Sequence, residues 1–298
     1  MTNTSSTLTT NIPVLSVNAQ CLPEAWEKAV LAVWDKGLEI RTQYDKPEDP
    51  PSKDATVIVI ITNPFNEPRI HKNFPGGPEE LEVYRQEVVD GIHDHWIDAA
   101  AGKWTYTYHE RLFAYSPVED IRDPDSVRPF KPINQIRYII DCLSRTGHTR
   151  RAQAVTWMPT ADPGTDDPPC LQRIWCRLIP DGASGWSLNM NTHWRSRDLY
   201  KAWFMNVYAL TDLQRRIAEE IAKKRAEPVT VGRYVDISDS LHIYGSYFDQ
   251  VAVEVEKMRK TPFAERAWPS THPAFEMMTL EAKEKLSKDP DWYAKARG

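Results

Sequence analysis

The run ATVIVIIT, Ala55 to Thr62, restricts the fold more than any other feature of the chain. An unbroken β-branched stretch of this kind suits a strand buried within a sheet. A polar, proline-rich stretch from Lys46 to Lys53 precedes it, and a long loop with four prolines, NPFNEPRIHKNFPGGPEE, follows. The rest of the chain supplies both neighbouring strands and covering helices. After Pro23, the helical spacing of Trp26, Ala29, Val30, Val33 and Trp34 predicts a helix over residues 23–44. Leu81, Tyr84, Val88 and Ile92 predict a second, over residues 79–100. INQIRYIIDCLSRTG predicts an amphipathic helix stopped at Gly147. Strands are expected at AQAVTW, at CLQRIWCRLI and WSLNMNTHW with the turn PDGASG between them, and over residues 232–238. Helices over residues 198–225 and 244–259 complete the order. The elements do not alternate regularly, which predicts an α+β domain with helices laid on a mostly antiparallel or mixed sheet. No internal repeat, glycine-rich phosphate loop or interdomain linker is visible. A disordered tail over residues 1–20 and a single domain over 21–298 are expected.

Composition narrows the function. Of the 298 residues, 41% are hydrophobic and 27% charged, enough for a sizeable core without disulfides. The net charge of -5 argues against a general nucleic-acid binder, though not against a local basic pocket for one phosphate. No apolar run is long enough to span a membrane, and the polar start, rich in Ser and Thr, does not read as a signal peptide. The cysteines, at 21, 142, 170 and 176, show no metal-type pairing, so a reduced cytoplasmic setting without a metal is expected. The 11 Trp and 12 Tyr exceed what a core requires, and such rings also wall pockets for flat ligands.

Four short segments could carry chemistry. Cys170 follows two prolines, which stiffen the backbone around the thiol. From that pattern alone, a buried structural thiol is the commoner explanation. Arg150 and Arg151 precede a predicted strand and suit a solvated turn. In WRSRD, Arg195 and Ser196 lead into a predicted helix, where guanidinium, hydroxyl and helix amides together suit a phosphate. Asp198 in that first turn suits a cap. His242 and Tyr244, spaced by two in an extended segment, face the same way.

In this order and spacing, TRRAQAVTWMP, DDPPC, WRSRDLYKAWFMNVYAL and VGRYVDISDSLHIYG resemble the thymidylate synthases, and the archaeal-type branch more than the common bacterial one. The resemblance covers about residues 133–250, and YTYHERL at 106–112 is its main trace nearer the start. It implies a large mixed sheet flanked by helices whose back packs on a second copy, giving a homodimer with two sites. It implies two substrates, a pyrimidine nucleoside monophosphate and 5,10-methylenetetrahydrofolate. Cys170 as thiolate would add to C-6 of the base, making C-5 the nucleophile that takes the one-carbon unit. Arg195 would bind the phosphate and lower the thiol pKa, with Ser196 as a further phosphate ligand. Arg150 and Arg151 would reach across the dimer to the partner's phosphate. Asn206 would bond the polar edge of the base, Asp198 the folate pterin, and His242 with Tyr244 the sugar hydroxyl. Tyr108 would lie near the nucleophile. A glutamate on the helix near 82–87, Glu87 ahead of Glu82, would manage protons through water.

The sequence departs from the common bacterial pattern in four places: Leu171 after the cysteine, Trp194 before Arg195, KAWFM before Asn206, and an ending DWYAKARG in place of a short apolar tail that closes over folate. The last bears on the product. Hydride reduction gives a methylated base, here dTMP from dUMP, and Asn206 favours uracil. Water in place of hydride gives a hydroxymethylated base, from dUMP, dCMP or CMP. A non-catalytic nucleotide- or RNA-binding relative is the remaining reading. The set Cys170, Arg195 and Asn206 argues against it, since binding alone has no use for a nucleophile.

Overall fold

The computed structural model describes residues 11–118, 123, 131–182 and 184–297. In chain order the strands are β1 (Val14–Ala19), β2 (Leu38–Ile40), β3 (Ser52–Ile61), β4 (Ile70–His71), β5 (Gln153–Val155), β6 (Leu171–Pro180), β7 (Trp186–Trp194), β8 (Arg197–Asp198), β9 (Val229–Ile243) and β10 (Ala267–Trp268). The helices are α1 (Leu22–Lys36), α2 (Pro78–Asp90), α3 (Tyr108–Phe113), α4 (Gln135–Arg145), α5 (Trp203–Arg225), α6 (Phe248–Lys260), α7 (Phe263–Arg266), α8 (Pro273–Lys288) and α9 (Trp292–Arg297). One mixed sheet runs β1-β3-β9-β7-β6-β5, with β2 paired to β3 and β8 to β9. Its β1–β3 and β7–β9 pairs are parallel; β3–β9, β6–β7 and β5–β6 are antiparallel. This is the expected α+β architecture.

The ATVIVIIT run lies in β3, but its two faces differ. Val57, Val59 and Ile61 are wholly buried under the helices, whereas Ile58 and Ile60 on the other face are only half-buried. On the covered face the largest helix, α5, buries Trp203, Phe204, Val207 and Leu210. Trp26 of α1 fills the space between them and donates to the Leu199 carbonyl at 3.1 Å. Each such aromatic side chain contributes about 1.5–3 kcal/mol by leaving water.

Several boundaries differ from expectation. Of the tail expected over 1–20, Val14–Ala19 instead forms β1 on the edge of β3, and residues 1–10 lie outside the described residues. The helix expected over 23–44 ends at Lys36, since Leu38–Ile40 pairs with Ser52–Asp54 as a strand. The helix expected over 79–100 stops at Asp90, where Gly91 takes φ 70°. A side chain there would be strained, and also driven into the ring of His109. The strand expected over 232–238 runs from Val229 to Ile243, so it carries His242. The helix expected from 198 begins at Trp203, and the one expected from 244 at Phe248.

Candidate active site

Cys170 ends the loop that leads into β6, and the loop is held by its neighbour across the sheet. Arg195, just past β7, donates from its backbone to the Cys170 carbonyl at 2.9 Å. Its Nε and Nη2 donate to the carbonyls of Pro169 and Pro168 at 3.1 and 2.6 Å. The two prolines therefore contribute carbonyls as well as stiffness. This also corrects one expectation. Arg195 and Ser196 sit in an extended link between β7 and β8, not at a helix N-terminus, and the Nε–Nη2 edge of Arg195 is engaged on the loop.

The thiol itself is half-buried, and burial pushes its pKa up. Arg195 opposes this, Asp167 adds to it, and a hydrogen bond from Ser196 and the charge of Arg197 oppose it more weakly. The expected lowering by Arg195 is thus present but outweighed by desolvation. Tyr108, at the start of α3, packs beside the sulfur. Its hydroxyl accepts from the Leu171 N–H at 3.3 Å, and burial pushes its pKa up.

On α5, Asn206 is buried and donates from Nδ2 to the Tyr84 hydroxyl at 2.6 Å. Nδ2 keeps a second hydrogen and Oδ1 its lone pairs, so the amide can still both donate and accept. Tyr84 stands on α2, three residues before Glu87. A cavity of about 490 Å³ is lined by Tyr84, Glu87, Trp104, Tyr106, Tyr108 and the segment Thr165–Asp167. Its aromatic walls fit a flat ring system. Of the two glutamates expected to relay protons, Glu87 faces this cavity and bonds His93 Nδ1 at 2.9 Å. Glu82 is buried instead against Arg85 and Gln86. The end of the chain docks nearby: the Pro290 carbonyl meets His93 Nε2 at 3.1 Å, and Asp291 accepts from the Trp96 ring at 2.8 Å.

The third group lies where β3, β8 and β9 run side by side. His242 pairs across the strands with Asp54 and with Asp198. Its ring contacts Tyr244, with centroids 4.6 Å apart, as the spacing by two predicted. A chain of bonds runs from Asp54 Oδ2 through the Ser240 hydroxyl (2.7 Å) to His242 Nδ1 (3.4 Å). His242 Nε2 has no partner among the described residues, and burial pushes the His242 pKa down to about 4. Asp198 accepts from the Tyr200 and Lys201 backbones at 2.8 and 3.0 Å, capping a turn and not the helix. Burial pushes its pKa up.

Arg150 and Arg151 do not join these groups. Both are exposed and line a separate pocket of about 790 Å³ with Tyr138, Arg145 and His148. Among the described residues no cluster of three or more His, Cys, Asp or Glu side chains could hold a metal ion, and no helix is long and apolar enough to cross a membrane. Three residues of the site went unread in the sequence. Tyr84 looked like one more apolar position on α2. Asp54 lies far away in the chain, and Arg197 was hidden within a motif whose other members had tasks.

The family model described as thymidylate synthase matches residues 79–282, from the start of α2 into α8. A protein named "Putative thymidylate synthase" from Methanococcoides burtonii is 26% identical over 235 residues, covering 79% of this chain and 92% of its own. One of the same name from Methanocaldococcus jannaschii is 27% identical over 236 residues, covering 78% and 91%. Among solved structures, the thermostable thymidylate synthase A from Bacillus subtilis superposes with a TM-score of 0.56 at 16% identity, covering 79% of this chain and 84% of that one. That likeness is one of fold.

Proposed function

The chain belongs to the thymidylate synthase family, and from that premise we propose that it methylates dUMP at C-5 to give dTMP, with 5,10-methylenetetrahydrofolate as the one-carbon donor. The observation that carries the reading is the thiol of Cys170, held between the Arg195 clamp and Ser196 on one side and Tyr108 on the other. In this reading the Cys170 thiolate adds to C-6, and C-5 then takes the one-carbon unit. Arg195 and Ser196 hold the phosphate. Asn206 presents Oδ1 to the ring N–H of uracil. His242, through its free Nε2, and Tyr244 hold the sugar hydroxyl. Asp198 and the aromatic cavity take the pterin, with Glu87 relaying protons. Arg150 and Arg151 serve the partner's phosphate in a homodimer packed through the open face of the sheet, where Ile58 and Ile60 are half-exposed.

A second reading shares every step up to the fate of the added carbon: hydroxymethylation, with water in place of hydride. The Asn206 amide is compatible with it, because Oδ1 can accept from the amine of cytosine as well as from the ring N–H of uracil.

Cys170→Ala is expected to abolish turnover with the melting temperature unchanged; turnover at the unaltered rate would sink the covalent mechanism. Mass spectrometry of the product from dUMP, dCMP, UMP and CMP separates the two readings by substrate and by the mass added. Formation of dihydrofolate, read as a rise in ultraviolet absorbance, marks methylation. Failure of a 5-fluorinated dUMP to trap a covalent complex with folate would favour a non-catalytic relative.

A further inference from the structure

Arg197 has no assigned task, and its surroundings suggest one. It stands on β8 at 3% exposure, with its guanidinium carbon 4.1 Å from the Trp194 ring and 5.7 Å from the Trp203 ring. One nitrogen, Nη2, makes both of its polar contacts, to the carboxylate of Asp236 and, at 3.0 Å, to the Ser238 hydroxyl. Nε and Nη1 are buried and meet no acceptor among the described residues. Unmatched donors on a buried cation are costly, and holding Asp236 does not require them to be left open.

The neighbours indicate what acceptor would fit. The charge of Arg197 is felt both by the Cys170 thiol and by the Tyr84 hydroxyl that holds Asn206. Trp194, on which the guanidinium lies, meets the Tyr108 ring edge-on at 5.7 Å. Arg197 therefore lies against two rings, Trp194, which leads through Tyr108 to the thiol, and Trp203, one turn before Asn206 on α5. A pyrimidine with C-6 at the sulfur and its polar edge at Asn206 would span between the groups that these rings support.

Building on the pyrimidine reading above, we propose that Arg197 is a further catalytic residue, donating to O-4 of a uracil and holding the negative charge that develops there when Cys170 adds to C-6. In that step the S–C6 bond forms, the C5=C6 pair moves between C-5 and C-4, and the C4=O pair moves onto O-4. When C-5 attacks the one-carbon donor, the pair returns from O-4 and the charge at Arg197 relaxes. A guanidinium is always charged and accepts nothing, so it prefers an oxygen at position 4 to the amine of cytosine. It is also fixed in place before the reaction, which makes such a donor effective.

Two variants test this. Arg197→Lys keeps a cation opposite Asp236, while Arg197→Met combined with Asp236→Leu removes both charges so that neither is stranded. The measurement is release of tritium from dUMP labelled at C-5, with methylenetetrahydrofolate present, alongside dUMP affinity and melting temperature. Losing one donor to a developing oxyanion slows a reaction about 10²–10³-fold. Both variants are expected to release tritium slower by about that factor while binding dUMP almost as before, and to discriminate less between dUMP and dCMP. Release at the unaltered rate in either variant overturns the role. So does a fall in release matched by an equal fall in dUMP affinity, which would mark a binding role alone. If the unaltered protein releases no C-5 hydrogen from any pyrimidine nucleotide, the pyrimidine reading fails along with the proposal, and that outcome is visible without any variant.

Discussion

Two buried arginine–carboxylate pairs, Arg111–Asp162 and Arg197–Asp236, have similar burial and opposite wiring. Arg111 and Asp162 are each 1% exposed. Nη1 and Nη2 of Arg111 bond the two carboxylate oxygens at 3.1 and 2.7 Å, Nη1 adds the Thr156 carbonyl at 2.9 Å, and Nε lies 3.4 Å from Glu110. Every nitrogen of that guanidinium has an acceptor. In the other pair the carboxylate is the saturated member. Asp236 accepts from Arg197, Trp203, Ser238, Thr192 and Tyr234, while two nitrogens of Arg197 meet nothing. Burial does not distinguish the pairs; saturation does. A pair that satisfies all its own donors has finished its work in the fold, whereas one that leaves buried donors open is ready for a third group.

The comparison breaks most visibly in stability. Arg111→Met strands the Asp162 carboxylate in the interior, and removing one partner of a buried pair costs about 3–5 kcal/mol. Chemical denaturation should show a loss of that size. Release of C-5 hydrogen per folded molecule should stay as in the unaltered protein, since Arg111 ties α3 to the Asp162 turn and does not reach the thiol. A variant that kept its stability and lost its chemistry would erase the distinction drawn between the two pairs.

A somewhat smaller effect comes from His242, a neutral group with one open nitrogen. Burial holds its folded pKa at about 4, against an ordinary value of 6.5. The unfolded chain therefore binds the proton more readily. The contribution of neutral His242 is complete above about pH 6.5 and is lost as the pH falls toward 4. A difference of that size corresponds to about 3 kcal/mol. The unaltered protein should lose about that much more stability than His242→Gln between pH 6.5 and 4, measured by urea denaturation. Equal losses would mean that the ring charges in place without penalty, contrary to its burial beside Asp54 and Ser240.

The same distinction explains what the sequence made legible. Cys170, Arg195 and Ser196 are neighbours in space because their segments are short and sit at the facing ends of β6 and β7, so a motif reading finds them together. His242 and Tyr244 share a face through strand periodicity alone. Asp54 and Tyr84 could not be found that way. Asp54 meets His242 only through the β3–β9 register, and Tyr84 meets Asn206 only because α2 packs on α5. In both cases the partners are separated by well over a hundred residues of chain. The misplaced boundaries have a related cause. The apolar pattern of α1 and α2 continues past Gly37 and Gly91, and strand pairing or a left-handed glycine ended the helices where hydrophobic spacing did not. Arg197 was visible as a residue, but an open donor exists only once its neighbours have been counted.

The smallest expected effect separates the two arginines at the sulfur. Burial pushes the Cys170 thiol up, so thiolate is the minor form near neutrality, and alkylation by iodoacetamide should climb about tenfold per pH unit between pH 7 and 9. Arg197 is among the charges that favour the thiolate, and Asp167 opposes it. At pH 8, Asp167→Asn should therefore speed alkylation, and Arg197→Met with Asp236→Leu should slow it, each by a few-fold. Arg111→Met should leave the rate unchanged. Peptide mass spectrometry must follow Cys170 by itself, because Cys142 is also partly accessible, whereas Cys21 and Cys176 are buried. If Arg111→Met slowed the reaction as much as the Arg197 double variant, both arginines would act on the thiol alike, and the open nitrogens of Arg197 would be a detail of packing. Slowing confined to Arg197 would put its charge within reach of the reacting sulfur, which a donor to O-4 requires.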